Sequence, residues 1–259
     1  MSTPPIQITF LTTGTVRIRP LMRSQPPEGY AIMRRLRSIL DTRWTEPIPV
    51  GVFLIRHPEG LFLFDTGQSP CCNNQGYFPR AGLFNNRLSQ FAIERSDGIL
   101  EQMHARGIRA SDLKGVIPSH LHNDHAGGLE DLVREATDLP IYISREHWAA
   151  FGERPLHASL EGATPNHWPS PFTPRIVDFH EDRPLGPWKG SFPVTRDGRL
   201  AIVDTSGHVP GHIALVVSCP SESGEGTDTT YLLPGDALYG INVLDREEPD
   251  GINDDPMRA

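Results

Sequence analysis

The sequence has no long hydrophobic run. Its most apolar stretches, such as residues 50–55, are far shorter than the roughly 20 residues that a bilayer-crossing helix needs. The first residues, MSTPPI, have neither the basic start nor the apolar core of a secretory signal peptide. We therefore expect no membrane span and no membrane partner.

Cysteine is scarce, because Cys71, Cys72 and Cys219 are the only three. Adjacent Cys71 and Cys72 cannot form a disulfide with each other without strain, and a sparse, odd set of cysteines does not form a disulfide scaffold. A reducing, cytoplasmic location is the expectation that follows.

Positive charge is also in deficit. The chain has 24 Lys and Arg against 32 Asp and Glu, a net charge of −8 with His neutral. This balance argues against a nucleic-acid partner, since such affinity comes mostly from basic residues that contact phosphates. The sequence contains no G-x-S-x-G nucleophile elbow and no Walker or dinucleotide-binding glycine motif. Serine-nucleophile and nucleotide-dependent chemistry therefore lack a sequence basis.

Proline, glycine and histidine are abundant, with 25, 24 and 11 residues, and the first two predict many turns. Apolar spacing predicts a helix at 31–40 and another at about 97–106. Short apolar runs predict strands throughout both halves, with a turn at 12–14 between the first two and a hairpin formed by 50–57 and 61–67. The proline-rich stretch 152–175 is predicted to be a long loop. We expect one α/β domain over residues 1–259, built from two sheet layers.

A dense group of polar residues follows the predicted strand at 115–119. Within HLHNDHAGG, three His and one Asp occupy six positions, 120–125. Alternate residues of an extended segment point the same way, so His120 and His122 can face one ion. Asp124 and His125 come where the chain turns toward a helix and can face a second point nearby. Imidazole and carboxylate ligands suit zinc, or manganese or iron where oxygen ligands dominate. A solvated polar turn is the alternative explanation.

These residues resemble a known family. HLHNDHAGG at 120–128 matches the HxHxDH motif of the metallo-β-lactamase superfamily, and three further motifs follow its order: LFDTG at 63–67, TSGHVPGH at 205–212 and PGDALY at 234–239. The resemblance covers at least residues 48–240. Within the superfamily the sequence looks most like the N-acyl homoserine lactonases, the quorum-quenching lactonases, because of PIPVGVFLIRHPEG before LFDTG and a Tyr three residues after Asp236.

The resemblance implies an αββα sandwich and a metal site at one edge of it. It implies that the first metal is held by His120, His122 and His208, the second by Asp124 and His125, and that Asp236 bridges both. Asp65 resembles the carboxylate that orients a ligand, and His212 corresponds to a histidine that is usually not a ligand. Tyr239 matches the lactonase tyrosine that reaches the substrate carbonyl or the leaving oxygen, although a Tyr here can also simply pack against the site.

The sequence departs from the family in one respect. The family usually has a further histidine some tens of residues beyond the bridging aspartate, whereas the 23 residues after Asp236 contain none. We therefore expect a truncated C-terminal helix or strand, and a second metal position that is weak or vacant. Asp245, Asp254 and Asp255 are conceivable substitutes for the missing ligand.

The resemblance implies a hydrolase that opens the lactone ring of an N-acyl homoserine lactone-like substrate with a metal-activated water. Asp124 and Tyr239 are the expected catalytic residues. The expected cofactor is zinc, as one or two ions, with manganese, iron or cobalt as alternatives, and the protein is expected to be a monomer or homodimer. A glyoxalase II-like thioesterase and a catalytically impaired metal-binding protein remain as alternatives.

Overall fold

The structure is a computed structural model that describes residues 5–26, 28–82, 87–221, 227–246 and 248–258. Its strands are β1 (Gln7–Ile18), β2 (Ile48–His57), β3 (Gly60–Phe64), β4 (Ser89–Ala92), β5 (Leu113–Ile117), β6 (Tyr142–Ser144), β7 (Arg175–Val177), β8 (Ser191–Pro193), β9 (Leu200–Asp204), β10 (Ile213–Cys219) and β11 (Thr229–Leu233). Its helices are α1 (Pro20–Arg23), α2 (Ala31–Leu40), α3 (Ile99–His104), α4 (Asn123–Ala126), α5 (Leu129–Glu135), α6 (Arg145–His147), α7 (Pro155–Leu160) and α8 (Ile241–Leu244).

The first sheet has the strand order β4-β1-β2-β3-β5. Strand β2 pairs antiparallel with β1 and β3, and β5 runs parallel to β3. Because successive side chains of a strand point to opposite faces, Leu61 and Leu63 pack with the helices, including Leu129 of α5. Phe62 and Phe64 point the other way, into the second core. The apolar sequence of β3 is therefore explained by burial on both faces.

The second sheet is antiparallel, with the order β11-β10-β9-β8. Leu215 and Val217 of β10 belong to the same buried cluster as Phe62 and Phe64, so the two sheets share one core. On the outer face, Val216 packs against residues that include Trp188, from the loop between β7 and β8. Two facing sheets with helices against the first confirm the expected α/β sandwich of the metallo-β-lactamase type.

The helix predicted at 31–40 and the hairpin of β2 and β3 are confirmed. Two other predictions were wrong. The predicted turn at 12–14 lies inside the continuous strand β1, where the pairing register shifts between Thr12 and Thr15, because such a bulge disrupts the ladder without ending the strand. The predicted loop 152–175 contains α7, where Pro155 takes a first-turn position that needs no amide proton. The short strands β4 and β8 were not predicted.

In the part of the chain that the structure describes, no helix combines the length and apolar character needed to cross a bilayer. The helix α2 has ten residues. This agrees with the short apolar runs of the sequence.

We expect Gly67→Ala to destabilise the fold strongly. Gly67 has φ of +67°, and an added Cβ would lie 1.9 Å from Oγ1 of the buried Thr13. Left-handed backbone costs a non-glycine residue about 1–2 kcal/mol, and overpacking adds about 1–3 kcal/mol. Gly76→Ala is the matched control, since Gly76 has φ of +85° but nothing within 4 Å of its added Cβ. Urea unfolding of both variants measures the difference, and equal losses would contradict the crowding at Gly67.

Candidate metal centre

The predicted site residues follow strands that end at one edge of the sandwich. Parallel strands β3 and β5 end there, and β9 and β11, both antiparallel to β10, also share a direction. Asp65 follows β3, His208 follows β9 and Asp236 follows β11. The amide of Ile213 donates to the carbonyl of Ser119 over 3.0 Å, which joins the two sheets at this edge.

Three imidazoles converge at this edge. Nε2 of His120 lies 2.7 Å from Nδ1 of His122, and Nε2 of His208 lies 3.2 Å from the same Nδ1. One nitrogen from each ring lies within 4.8 Å of the others, a spacing at which all three could hold one ion. We call His120, His122 and His208 the three-histidine group. His120 and His122 lie on the same side of the chain, as the alternation in the sequence indicated.

A second group of possible ligands adjoins the first. It consists of His120, His125 and Asp236, and we call it the mixed group. Oδ1 of Asp236 lies 3.2 Å from Nε2 of His125, and Oδ2 lies 3.5 Å from Nε2 of His208. The two oxygens of Asp236 thus reach toward both groups.

The two residues expected to be catalytic lie beside these groups. Oδ1 of Asp124 is 3.9 Å from Nε2 of His125, so Asp124 is adjacent to the mixed group without belonging to it. The hydroxyl of Tyr239 donates to Oδ2 of Asp236 over 2.6 Å. Tyr239 therefore contacts the carboxylate at the centre of the site as well as packing in the core.

The acidic residues considered as substitute ligands lie outside both groups. Asp254 forms an ion pair with Arg35 of α2. Oδ1 of Asp255 accepts a hydrogen bond from the amide of Met257 over 3.0 Å. Asp245 is exposed at the end of α8. Among the described residues, none of the three joins the groups of possible ligand atoms.

The outward nitrogens of two imidazoles have protein partners. Nδ1 of His125 lies 2.9 Å from Oδ2 of Asp65, and Nδ1 of His120 lies 3.0 Å from Oγ of Ser119. Asp65 is the one described non-glycine residue with positive φ, +60°, and its Oδ1 accepts from the Ser119 amide over 2.6 Å. Such partners fix the tautomer and orientation of a ligand ring. The contact of Asp65 agrees with the role that the resemblance implied.

His212 and His147 hold the loops of the site in place. Nε2 of His212 accepts from the amide of Asp236 over 3.2 Å, so this ring supports Asp236 and is in neither group. His147 accepts from the Leu121 amide over 2.9 Å, and its Nδ1 lies 2.8 Å from the carbonyl oxygen of Pro210. Burial lowers the pKa of His147 to about 4, so the ring is neutral and can both accept and donate. The sequence contains no spacing signal for His147.

Burial and neighbouring charges divide the site histidines into two kinds. Burial, together with adjacent imidazoles, holds the pKa of His120 and His122 well below the ordinary range. Burial acts on His125 in the same direction, but Asp236, Asp65 and Asp124 outweigh it and raise that pKa well above its usual value. Burial opposes ionisation of Asp236, but His125 and its hydrogen bond keep the Asp236 pKa below its usual range. His120 and His122 are therefore neutral, with lone pairs available.

The residues fit a divalent metal ion. Nitrogens of the three imidazoles approach one another at 2.7–3.2 Å, and one cation bound between them would satisfy all three. Nδ1 of His122 is the nitrogen that faces His120 and His208, whereas its Nε2 is buried without a hydrogen-bond partner among the described residues. Imidazole nitrogens with a carboxylate form a donor set typical of zinc and related metals.

Comparison with known proteins gives a consistent result. The family model described as metallo-beta-lactamase superfamily matches residues 45–257. The chain is 27% identical to N-acyl homoserine lactonase AiiB of Agrobacterium fabrum over 203 residues, which cover 74% of this chain and 64% of that relative. It is 31% identical to N-acyl homoserine lactonase AttM of Azorhizobium caulinodans, over 75% of this chain and 67% of that relative. The match thus spans less than two thirds of AiiB.

Solved structures share the fold. An N-acyl homoserine lactone hydrolase, with the product N-hexanoyl-L-homoserine at its catalytic metal centre, matches with a TM-score of 0.66 and 22% identity, over 100% of this chain and 85% of that one. A dizinc quorum-quenching lactonase, AidC, matches with a TM-score of 0.50 and 18% identity, over 89% of this chain and 72% of that one.

We expect His122→Ala to weaken zinc binding by more than about 100-fold, since even the partners of metal ligands cost about 10–100-fold when removed. His104→Ala is the matched control, because the His104 ring is 43% exposed and pairs with Glu135, away from both groups. Competition with a chromogenic chelator measures both affinities. An unchanged affinity in His122→Ala would rule out the three-histidine group as the site.

Proposed function

The chain belongs to the metallo-β-lactamase superfamily, and on that premise we propose that it is a metal-dependent hydrolase that opens the lactone ring of N-acyl homoserine lactones. The observation that carries the proposal is the position of Asp236. Its carboxylate reaches toward the three-histidine group on one side and toward His125 on the other, and it accepts a hydrogen bond from the hydroxyl of Tyr239. The names of the relatives AiiB and AttM support this substrate class.

The proposed ligands are those that the resemblance implied. The three-histidine group would hold a first metal, Asp124 and His125 a second, and Asp236 would lie between them. Zinc is the proposed metal, with manganese, iron or cobalt as alternatives. A divalent ion in such a site acts as a Lewis acid and lowers the pKa of a bound water from 15.7 to about 7.

The chain's own residues would orient the reactants. The Tyr239 phenol is an ordinary hydrogen-bond donor at neutral pH, and by turning its single proton from Asp236 it can donate to the lactone carbonyl or to the leaving oxygen. The Asp124 side chain is 26% exposed, so its carboxylate can accept a hydrogen bond from an attacking water and hold that water toward the carbonyl carbon. No covalent intermediate with the protein is required.

We further propose a cytoplasmic location and a monomer or homodimer whose partner is the small lactone. The state of the thiols supports this location. The three cysteines are free in the structure, which agrees with a reducing compartment.

Replacement of the Tyr239 hydroxyl should slow catalysis more than it weakens the fold. We expect Tyr239→Phe, loaded with zinc or manganese, to lose about 100-fold in kcat for lactone opening, as when one preorganised donor is removed. Tyr231→Phe is the matched control, because Tyr231 is 47% exposed on β11. The assay detects ring opening through the protons that it releases, and His122→Ala serves as the blank.

A thioester substrate run in parallel separates the alternatives. Lactone turnover that exceeds thioester turnover supports the proposal, whereas the reverse favours a thioesterase. Turnover of neither substrate above the His122→Ala blank would leave a metal-binding protein without this activity.

The two metal positions should differ in affinity. The first position would have three imidazoles and one carboxylate oxygen of Asp236. The second would have one imidazole, Asp124 and the other carboxylate oxygen of Asp236. Stepwise chelation of the zinc-loaded protein should therefore release one ion well before the other. Elemental analysis after each step measures the zinc that remains. Two ions per chain that leave together would contradict this expectation.

A further inference from the structure

The segment 249–255 lies against the loop that carries His208. The amide of Asp254 is 2.9 Å from the carbonyl oxygen of Gly207 and 3.1 Å from that of His208, and the amide of Asp255 also donates to Gly207 over 3.1 Å. These bonds hold the backbone of the loop at Gly207 and His208. The position of His208 therefore depends on a part of the chain that contributes no ligand of its own.

Within this segment, Asp250 contacts the His208 ring. Oδ2 of Asp250 lies 3.2 Å from Nδ1 of His208, and the two side chains are 2% and 1% exposed. Oδ1 accepts from the amide of Ile252 over 2.9 Å, which fixes the carboxylate. With Nδ1 donating to Asp250, Nε2 of His208 keeps its lone pair and faces His122 at 3.2 Å. This is the relation that Asp65 has to His125 on the other side of the site.

The backbone at Asp250 is held by Arg34 of α2. The Arg34 side chain is fully buried, and its Nη2 donates to the carbonyl of Asp250 over 2.7 Å. Its Nη1 donates to the carbonyls of Gln25 and Pro26. The guanidinium thus bridges the amino-terminal part of the chain and the segment that carries Asp250.

Two further contacts fix the same segment. The amide of Gly251 donates to Met22 of α1 over 2.9 Å, and a Cβ on Gly251 would lie 1.8 Å from the carbonyl oxygen of Leu21. Nε of Arg35 donates to the carbonyl of Ile252 over 3.1 Å. Asp250 is therefore held in place by α1 and α2.

We propose that Asp250 is a positioning residue that sets the tautomer and direction of His208, and that Arg34 holds Asp250 in place for this task. The inference rests on the proposed metal-dependent function, because it assigns His208 to the first metal. A carboxylate behind a ligand imidazole raises the basicity of the ring and fixes its orientation, and such partners contribute about 10–100-fold to metal affinity. The first metal position therefore depends on α2, which provides no ligand.

The test measures zinc affinity without substrate, by chelator competition on Asp250→Ala and Asp250→Asn. We expect Asp250→Ala to lose between about 10- and 100-fold in affinity at the tighter site. Asp250→Asn keeps an oxygen that accepts a hydrogen bond from Nδ1 of His208, and should therefore lose less affinity than Asp250→Ala. Asp245→Asn is the matched control, because Asp245 is an exposed carboxylate of the same region.

A purely structural role is distinguished by the metal-free proteins. Urea unfolding of the metal-free variants reports the fold alone, and the cobalt-substituted absorption spectrum reports the geometry around the ion. A lowered affinity with an altered cobalt spectrum in Asp250→Asn supports the inference, and if Asp250→Ala fails to fold, Asp250→Asn decides it. An affinity and spectrum in Asp250→Asn equal to those of Asp245→Asn would overturn it. A wild-type protein that binds zinc tightly but opens no lactone would reject the proposed function and leave this inference standing.

Discussion

The organisation of this molecule depends on the burial of several imidazoles beside one another. A buried polar nitrogen without a partner costs about 1–3 kcal/mol, so partners for the ring nitrogens stabilise this arrangement. His120, His125 and His208 turn one nitrogen to Ser119, Asp65 and Asp250, respectively. Their other nitrogens face the interior of the site. The strand ends and loops that carry these partners must therefore meet at one edge.

Much of the site could be predicted because its densest part is local. His120, His122, Asp124 and His125 lie within six positions after a buried strand, and alternation alone places the first two on one side. His208 and Asp236 have no such local signal, and only the motif resemblance indicated them. The structure places their ligand atoms near the others through the strand pairing of the second sheet.

The remaining contacts could not be predicted because their partners are far apart in the sequence. Asp250 lies 42 residues from His208, and His147 lies 26 residues from Leu121, with no periodic pattern that links them. The fold shows the same limit. The apolar run at residues 61–64 indicates a strand by itself, whereas the three residues of β8 become a strand only through pairing with β9.

The bond between Arg34 and Asp250 spans 216 positions of the chain. The entropic cost of closing such a loop is met only by contacts that form after closure, and a fold rich in distant pairings of this kind is slow to form. During synthesis α2 emerges long before the segment that it holds, so the guanidinium of Arg34 is hydrated until that segment arrives. The contact between Asp250 and His208, and with it the proposed first metal position, is consequently completed late in folding, once these distant parts of the chain have met.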